Sequence, residues 1–301
     1  MNTGDIKEIQ KALKDQHIYA DTITPHQRTR DKVNYLLDNH HLLRLSQSPL
    51  NEQIKLHNVE SVSLAPNVHS SGVLTLSGYT WNYIVIDYIQ GYDLWSIAQD
   101  LSDEQKVKIG REIASFLNEL HLITCETYDI GHYVPAIPRY EGLWKNGQKE
   151  YVDILLGDIS KMDLNSRSRE TIEKAYDYIQ TNMDVLDFQK GAKLLHNDFH
   201  PKNIIVDEAG KLAGVIDWEC SLFGEADFEL TNFFEWCIYP YESGRQLEIM
   251  LQAIVENLQN IPKLDYLEKR MIIYQLEHEL HQLIWNGNVQ EGKRAKQIDG
   301  W

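Results

Sequence analysis

The most informative stretch of the sequence is His196-Asn197-Asp198-Phe199-His200-Pro201-Lys202-Asn203, which runs directly into the apolar segment Ile204-Ile205-Val206. Asp198 and Asn203 lie five residues apart, a step that fits a short loop presenting a carboxylate and an amide toward one point. A second apolar run, Leu212–Ile216, ends at Asp217, fourteen residues after Asn203. Short apolar runs on either side of a turn predict two paired strands, so we expect the chain to bring Asp217 back beside Asn203.

The triangle of Asp198, Asn203 and Asp217 predicts phosphoryl-transfer chemistry. The carboxylate of Asp198 can orient a nucleophilic hydroxyl, while the other two residues supply the oxygen ligands that Mg²⁺ prefers when it binds phosphates. The alternative is an ordinary polar turn, where Asp and Asn are common for backbone reasons. Four coincident features favour the catalytic interpretation: His196 two residues before Asp198, the five-residue step, the apolar strand that follows, and Asp217 ending the next strand.

The rest of the chain predicts an α+β fold with two lobes, expected at residues 1–90 and 91–301. Gly91 separates a β-rich first part from a mostly helical remainder. Before it we expect a helix at Ile6–His17, a hairpin of Val33–Leu37 with Leu42–Leu45, a helix at Asn51–Val62, and a hairpin of Val73–Leu76 with Tyr83–Ile89. After it, helical spacing predicts Ser102–His121, Asn165–Met183 and Tyr266–Trp285, whereas residues 128–145 have no clear period and indicate a loop or an insertion.

Composition and charge exclude several classes of protein. With 29 Lys and Arg against 45 Asp and Glu, the net charge of −16 argues against a nucleic-acid partner, because phosphate binding needs clustered basic residues. No apolar stretch approaches the ~20 residues of a membrane span. The three cysteines follow no pairing or metal spacing, so we expect reduced thiols in a cytoplasmic protein with no membrane partner. The sequence leaves the oligomeric state open.

The charge is unevenly distributed along the chain. Residues 1–89 have a balance of −1, and residues 90–301 have a balance of −15. Such a surplus is common on a solvated surface, but it can also mark a site that attracts a cation.

The motifs resemble those of the superfamily of aminoglycoside phosphotransferases and choline kinases, which are protein-kinase-like small-molecule kinases. The stretch 196–203 is similar to the catalytic loop of that superfamily, and Gly214–Glu219 resembles its metal-binding strand end. Further similarities cover the segment Phe223–Leu230, the strand and hinge Ile84–Gly91, and the helix end Phe116–His121. The resemblance runs in order over about residues 19–297. It implies a small antiparallel-sheet lobe for the nucleotide and a larger, mainly helical lobe that carries the catalytic loop and the substrate site.

The resemblance assigns catalytic and metal-binding roles to three matching residues. Asp198 would be the catalytic base, and Asn203 and Asp217 would hold Mg²⁺. His200 would contact the transferred phosphate or simply pack.

The resemblance also assigns nucleotide-binding roles in the first lobe. The backbone at Asp87 and Ile89 would pair with adenine. Arg44 would grip phosphate oxygens in the place of the more usual Lys, because its guanidinium can form paired hydrogen bonds to them. Glu52, eight residues further on, would pair with Arg44 and hold it in place.

One departure from the superfamily is the loop at residues 24–32, which contains no glycine where a phosphate-covering loop often has one. Charge from Arg28, Arg30 or Lys32 would replace backbone donors there, or the loop stays open until a ligand binds. The choice between ATP and GTP as phosphate donor therefore stays open.

The acceptor is expected to be a small cationic molecule. No Ala-Pro-Glu signature follows Asp217, which leaves little room for a peptide-docking loop. Acidic residues in the second lobe favour a cation by Coulombic attraction, and they are Glu219, Glu225, Glu229, Glu235, Glu277 and Glu279. The candidate substrate contacts are Glu229, Glu235, Glu277 and Trp236. The aromatic residues Trp236, Tyr239, Tyr241 and Trp285 would line a cation site or pack in the core.

These features and the resemblance together predict transfer of the γ-phosphate of ATP or GTP to a hydroxyl of an aminoglycoside-type antibiotic. The runs Phe223–Trp236 and Leu283–Asn288 look especially like the hygromycin kinase branch. Choline kinases share a Glu-Trp pair like Glu235-Trp236, so an aminoalcohol is the alternative acceptor. A catalytically silent nucleotide-binding module is the other alternative, favoured by the glycine-free loop and by Arg44.

Overall fold

The structure is a computed structural model that describes residues 6–28, 32–238, 247–259, 261 and 264–285. In these ranges the strands are β1 (Ile23–Arg28), β2 (Lys32–Leu37), β3 (His41–Ser46), β4 (Val68–Leu76), β5 (Tyr79–Asp87), β6 (Tyr92–Asp93), β7 (Tyr128–Ile130), β8 (Ile137–Tyr140), β9 (Lys193–Leu195), β10 (Ile204–Val206), β11 (Leu212–Val215) and β12 (Leu222–Gly224). The α-helices are α1 (Ile6–Asp15), α2 (Glu52–His57), α3 (Leu94–Ile97), α4 (Asp103–Leu120), α5 (Trp144–Ile159), α6 (Ser166–Asn182), α7 (Leu230–Ile238), α8 (Glu248–Asn257) and α9 (Leu267–Trp285). They form two compact units, Met1–Asp100 with Pro201–Glu219 and Leu101–His200 with Cys220–Trp301.

The first unit is built on a five-stranded antiparallel sheet in the order β1-β2-β3-β5-β4. Both predicted hairpins are present, with the turn Asp38-Asn39 between β2 and β3 and the turn Ser77-Gly78 between β4 and β5. All four turn residues have positive φ, a conformation that Asn, Asp and Gly adopt most readily. The predicted helix α1 covers the apolar side chains of the sheet with Ile9 and Leu13.

Helix α2 is shorter than the helix predicted over residues 51–62. The amide of Val59 bonds to the carbonyl of Leu56, and the amide of Val62 bonds to that of Val59. Because these bonds span three residues and not four, the chain continues as a series of turns after His57.

Residues 201–219 belong to the first unit because β10 and β11 form a small sheet with β6, in the order β11-β10-β6. Val206 pairs with Tyr92, and Gly91, at φ 147°, lies so close that a Cβ there would collide with the Val206 carbonyl oxygen. Only glycine fits such a position. The boundaries of the two compact units differ from those of the predicted lobes, 1–90 and 91–301. The assignment of nucleotide binding to the first lobe and of substrate binding to the second stays a prediction.

The second unit is mainly helical. The predicted helices 102–121, 165–183 and 266–285 are present as α4, α6 and α9. Ser102 caps α4 by accepting from the amide of Gln105, and Asn165 caps α6 in the same way from Ser168.

The structure differs from the sequence prediction at residues 128–145, where we expected a loop. Strand β7 pairs with β8 there, and helix α5, which begins at Trp144, was not predicted. The buried face of α5 includes Gly147 and Gln148, so the apolar period that identifies a helix is weak in this segment.

Across the described ranges, no helix is both long enough and apolar enough to span a membrane. The three cysteines, Cys125, Cys220 and Cys237, are free thiols, as expected. Tyr239 and Tyr241, which were candidates for a cation site, lie outside the described residues.

Candidate active site

Asn203 and Asp217 lie at the same end of the β10–β11 hairpin. Ile204 pairs with Val215 in the register of the two strands, and the amide of Ile216 donates a 2.9 Å hydrogen bond to the carbonyl of Asn203. The predicted return of the chain is therefore present. Asn203 is buried, whereas the side chain of Asp217 is 38% exposed and can reach a ligand.

Asp217 has a strained backbone, with φ +70°. A residue with a Cβ is uncommon in this left-handed region, and such conformations persist only where the surrounding structure fixes them, most often at functional sites. Asn197, the residue before Asp198, has φ +61°. Both segments that carry predicted catalytic side chains therefore hold a left-handed residue.

The donor atoms of Asn203 and Asp217 fit Mg²⁺. An amide oxygen and a carboxylate are the hard oxygen ligands that this ion prefers, usually together with water and substrate phosphates. These two residues would hold the ion in the first unit. When bound, Mg²⁺ would supply positive charge that neutralises phosphate oxygens.

The predicted ion pair between Arg44 and Glu52 is present. Glu52 is buried at the start of α2, and its carboxylate accepts from the Nη1 of Arg44. Arg44 Nη1 also lies 3.5 Å from the Oδ1 of Asp217, and its Nε donates to Asn34 over 3.3 Å. Burial opposes the charge of Arg44, but the carboxylates of Glu52 and Asp217 outweigh it and raise the guanidinium pKa. Arg44 is thus a fixed cation beside the candidate metal ligand.

Of the three cations predicted to serve the glycine-free loop, the structure describes the side chain of Lys32 alone. Its ammonium contacts the carboxylate of Glu219, two residues after Asp217. Arg30 and the side chain of Arg28 lie outside the described residues. Lys32 therefore adds a second positive charge close to the β10–β11 hairpin.

Of the two hinge residues, Asp87 uses its backbone amide in a hydrogen bond and Ile89 uses its side chain in packing. The amide of Asp87 donates to the carbonyl of Asn67 over 3.1 Å. The side chain of Ile89 fills the space over Gly214, where a Cβ would collide with it. Pairing of the backbone at Asp87 and Ile89 with adenine stays a prediction.

Glu229 fixes the backbone of the catalytic loop in the second unit. Its two carboxylate oxygens accept from the amides of His196, at 2.7 Å, and Asn197, at 3.0 Å. The side-chain amide of Asn232 donates to the carbonyl of Asn197 over 2.9 Å, and Asn197 in turn donates to the carbonyl of Cys220 over 3.1 Å. Hydrogen bonds of the Glu229, Asn232 and Asn197 side chains therefore fix the loop that carries Asp198.

Sequence reasoning did not identify Asn232 as part of this loop's support. The signal that could have found it is its spacing of three residues from Glu229, because residues three apart on a helical segment share one face. Glu229 itself was predicted to contact substrate, but it is buried and its oxygens bond to the loop. Its place in the structure is that of a positioning residue.

Asp198 lies next to His200, which stacks on Trp236. The Nε2 of His200 is 3.6 Å from the Oδ1 of Asp198, and the His200 and Trp236 rings lie 5.2 Å apart and 25° from parallel. Asp198 and His200 keep side-chain exposures of 20% and 18%, and Trp236 on α7 is half-buried. The candidate base is therefore accessible and lies beside an aromatic surface.

Two more of the acidic residues that we predicted to favour a cationic substrate, Glu225 and Glu277, are buried. Glu225 accepts from the Tyr128 hydroxyl at 2.5 Å and from the amides of Lys190 and Gly191. Glu277 is fully buried on α9. Glu235 and Glu279 are partly exposed, and the carboxylate of Glu235 lies 3.0 Å from the Nδ1 of His278. Because Glu225, Glu229 and Glu277 are buried, these three carboxylates do not form an acidic surface open to a substrate.

We expect Glu229→Gln to lower kcat about 10²-fold and to leave the KM for nucleotide nearly unchanged. The side-chain NH₂ of glutamine is a donor and would face one of the two backbone amides, so the loop that carries Asp198 shifts, and small misplacements cost rate steeply. The free energy of unfolding should fall by about 2 kcal/mol. Steady-state kinetics and urea unfolding measure both effects.

The matched control for Glu229→Gln is Glu225→Gln. This second buried carboxylate also binds backbone amides, but at Lys190 and Gly191 and not on the catalytic loop. It should lose stability and keep kcat. Equal kcat for the two variants would contradict the positioning role of Glu229.

We expect Glu277→Gln to stabilise the protein at pH 7. Burial raises the pKa of the Glu277 carboxyl well above its usual range, and among the described residues neither oxygen has a hydrogen-bond partner. The unfolded state loses this proton at lower pH than the folded state, so wild-type stability falls as pH rises above the ordinary Glu pKa of about 4.3. The variant lacks that fall, and its advantage should vanish near pH 4. Thermal melts across pH test this, and a loss of stability at pH 7 would contradict it.

Comparison with known proteins identifies the class of this protein. Residues 27–266 match the phosphotransferase enzyme family, so the chain belongs to that family. This confirms the superfamily that the motifs resemble and the predicted class of enzyme, a kinase.

The individual relatives are aminoglycoside kinases. Over 43 residues the chain is 40% identical to the hygromycin-B 4-O-kinase of Escherichia coli, a segment that spans 14% of this chain and only 12% of the length of that kinase. A thermostable mutant of aminoglycoside phosphotransferase APH(4)-Ia, in a ternary complex with AMP-PNP and hygromycin B, has a TM-score of 0.71 at 17% identity over 97% of this chain and 96% of that chain. A GDP complex of a mutant aminoglycoside 2'-phosphotransferase-IIIa has a TM-score of 0.66 at 15% identity, covering 98% and 93%. These similarities confirm the predicted protein-kinase-like α+β fold.

Proposed function

We propose that this protein transfers the γ-phosphoryl group of ATP or GTP, with Mg²⁺, to a hydroxyl of an aminoglycoside-type molecule. The observation that carries the proposal is the fixed catalytic loop, in which Glu229 and Asn232 hold the backbone of the residues before Asp198. A loop bonded in this way gives a carboxylate the defined position that general-base catalysis requires.

Each residue of the candidate site has a task in this reaction. The oxygen of the acceptor hydroxyl attacks the γ-phosphorus while Asp198 accepts the proton of that hydroxyl. The bond between the γ-phosphorus and the β,γ-bridging oxygen breaks, which leaves the nucleoside diphosphate. Arg44, held by Glu52, binds phosphate oxygens. Asn203 and Asp217 hold Mg²⁺. Structures of relatives in complex with AMP-PNP and with GDP support a nucleoside triphosphate as donor and leave both bases possible.

An aminoglycoside acceptor is supported by the relatives and by the residues near Asp198. The hygromycin B complex of a relative and the local identity to a hygromycin kinase point to a cationic sugar. In this chain Glu235 and Trp236 are partly exposed on α7, and Trp236 stacks on His200 beside Asp198. A carboxylate next to an aromatic face can bind an ammonium group.

The same pair is the observation that favours a choline-type aminoalcohol as the second candidate acceptor. A quaternary ammonium needs an aromatic face and a nearby negative charge, which Trp236 and Glu235 supply without further acidic residues.

An initial-rate assay separates these possibilities. Purified protein with Mg²⁺ and either ATP or GTP is presented with aminoglycosides, including hygromycin B, and with aminoalcohols, including choline. The proposal predicts turnover with at least one aminoglycoside. Turnover with choline alone would assign the aminoalcohol function, and nucleotide binding without any turnover would make the chain a silent nucleotide-binding module.

A further inference from the structure

A group of potential metal ligands lies in the first unit, on other strands than the candidate Mg²⁺ ligands of the β10–β11 hairpin. His41, His69 and Asp87 come from β3, β4 and β5, and each offers one ligand atom within 4.8 Å of the other two. His41 and Asp87 are half-buried, and His69 is exposed.

The local strand geometry explains why these three side chains meet. His41 and Asp87 are direct partners across β3 and β5. On the other side of β5, Val68 pairs with Ile86 and Ser70 with Val85, so that His69 is the extra residue of a β-bulge. A bulge re-aims the side chain of the extra residue, and here it turns His69 toward the pair on β3 and β5.

The carboxylate of Asp87 is already oriented for a ligand. Its Oδ2 accepts from the backbone amide of Asn67 at 2.9 Å and from the side-chain amide of Asn67 at 2.6 Å. Its Oδ1 lies 2.5 Å from the Nε2 of His69, and the two imidazole rings stand edge to face with centroids 4.4 Å apart. Hydrogen bonds that fix a ligating carboxylate in this way are typical of metal sites.

From this arrangement we propose that His41, His69 and Asp87 form a binding site for a divalent transition-metal ion of the Zn²⁺ type. Two imidazoles and one carboxylate are a ligand set that Zn²⁺ accepts, with water in the remaining position. The softer nitrogen ligands select against Mg²⁺, which the candidate phosphate site would take. The site does not depend on the proposed function.

Equilibrium dialysis of tag-free protein against Zn²⁺ in excess Mg²⁺ tests the proposal, because Mg²⁺ saturates oxygen-only sites. The wild type should bind one Zn²⁺ per chain. His41→Gln and His69→Gln should each weaken Zn²⁺ binding at least about tenfold, because changing even a residue that only hydrogen-bonds to a metal ligand typically costs about that much affinity. The matched control is His57→Gln, which removes another exposed histidine that lies beside a carboxylate, that of Glu60. It should bind Zn²⁺ like the wild type.

Co²⁺ in place of Zn²⁺ identifies the ligands by absorption. Visible d–d bands without a sulfur-to-cobalt charge-transfer band are expected, and His69→Gln should abolish them while its melting temperature without metal stays that of the wild type. A charge-transfer band would assign the ion to a thiol such as the exposed Cys125. That band, equal Zn²⁺ affinity in all four proteins, or absence of Zn²⁺ binding would each overturn the proposal.

Discussion

Replacing Asp198 with asparagine is expected to lower kcat about 10³-fold, within the 10²- to 10⁴-fold range that a positioned general base contributes. Asparagine keeps the size of the side chain but cannot accept the proton of the acceptor hydroxyl. The hydrogen bonds that hold the loop involve His196, Asn197 and Glu229, so the backbone should stay in place. Initial rates at saturating substrates measure the loss, and nucleotide affinity measured by fluorescence should remain within about twofold of the wild type.

The control for Asp198→Asn is Asp158→Asn in the same unit. Asp158 lies on α5, where its carboxylate pairs with Lys161, and exposed pairs of this kind contribute little. Both kcat and stability should be unchanged in this variant. An Asp198→Asn protein that retains more than about a tenth of the wild-type kcat would contradict the role of Asp198 as base.

Replacing Arg270 with methionine is expected to lower the free energy of unfolding by about 3–5 kcal/mol, the cost of removing one partner of a buried ion pair. Arg270 and Asp227 are both buried, with the Nε of Arg270 donating to the Oδ2 of Asp227 at 2.5 Å. Burial raises the pKa of the Asp227 carboxyl, and the positive charge of Arg270 opposes this rise. In the Arg270→Met variant nothing of that charge remains to offset the cost of burying the Asp227 carboxylate. Urea unfolding followed by tryptophan fluorescence measures the loss.

The pH dependence and a double variant distinguish this effect from simple loss of packing. Without Arg270 the folded-state pKa of Asp227 rises further, so the unfolded state releases the proton first and the destabilisation grows with pH above about 3.9. It should shrink as pH falls toward that value. Arg270→Met with Asp227→Leu should recover most of the stability, because an apolar pair can replace a buried ion pair. A loss that is independent of pH and persists in the double variant would contradict the electrostatic explanation.

The parts of the site that could be predicted from the sequence are those set by local chain geometry. The apolar runs on either side of the turn before Leu212 determine where Asp217 returns, and the backbone bond between Ile216 and Asn203 follows from that pairing. The Arg44–Glu52 pair was predictable because the resemblance supplied both positions. The turns at Asp38-Asn39 and Ser77-Gly78 use residues that tolerate positive φ, and both hairpins follow from them.

The parts that could not be predicted depend on which way a charged side chain faces in the packed protein. Glu229 and Glu277 belong to segments with apolar neighbours, and we predicted substrate contacts from their acidic character alone. The partners that make Glu229 internal, the amides of the catalytic loop, lie more than thirty residues away in the chain. We did not predict helix α5 because Gly147 and Gln148 on its buried face weaken the apolar period. For these glutamates and for α5, contacts with distant parts of the chain determine the structure, and the local sequence pattern does not show those contacts.

The most direct test of the account follows a labelled γ-phosphoryl group from the nucleotide to the acceptor. Wild-type protein is incubated with Mg²⁺, γ-labelled ATP or GTP, and the best acceptor of the panel, and the products are separated by mass. We expect label on an acceptor that has gained one phosphoryl group, formed by the wild type and the Asp158→Asn control, and about 10³-fold slower by Asp198→Asn. Label in inorganic phosphate alone, or phosphorylated acceptor formed equally fast by Asp198→Asn, would contradict it.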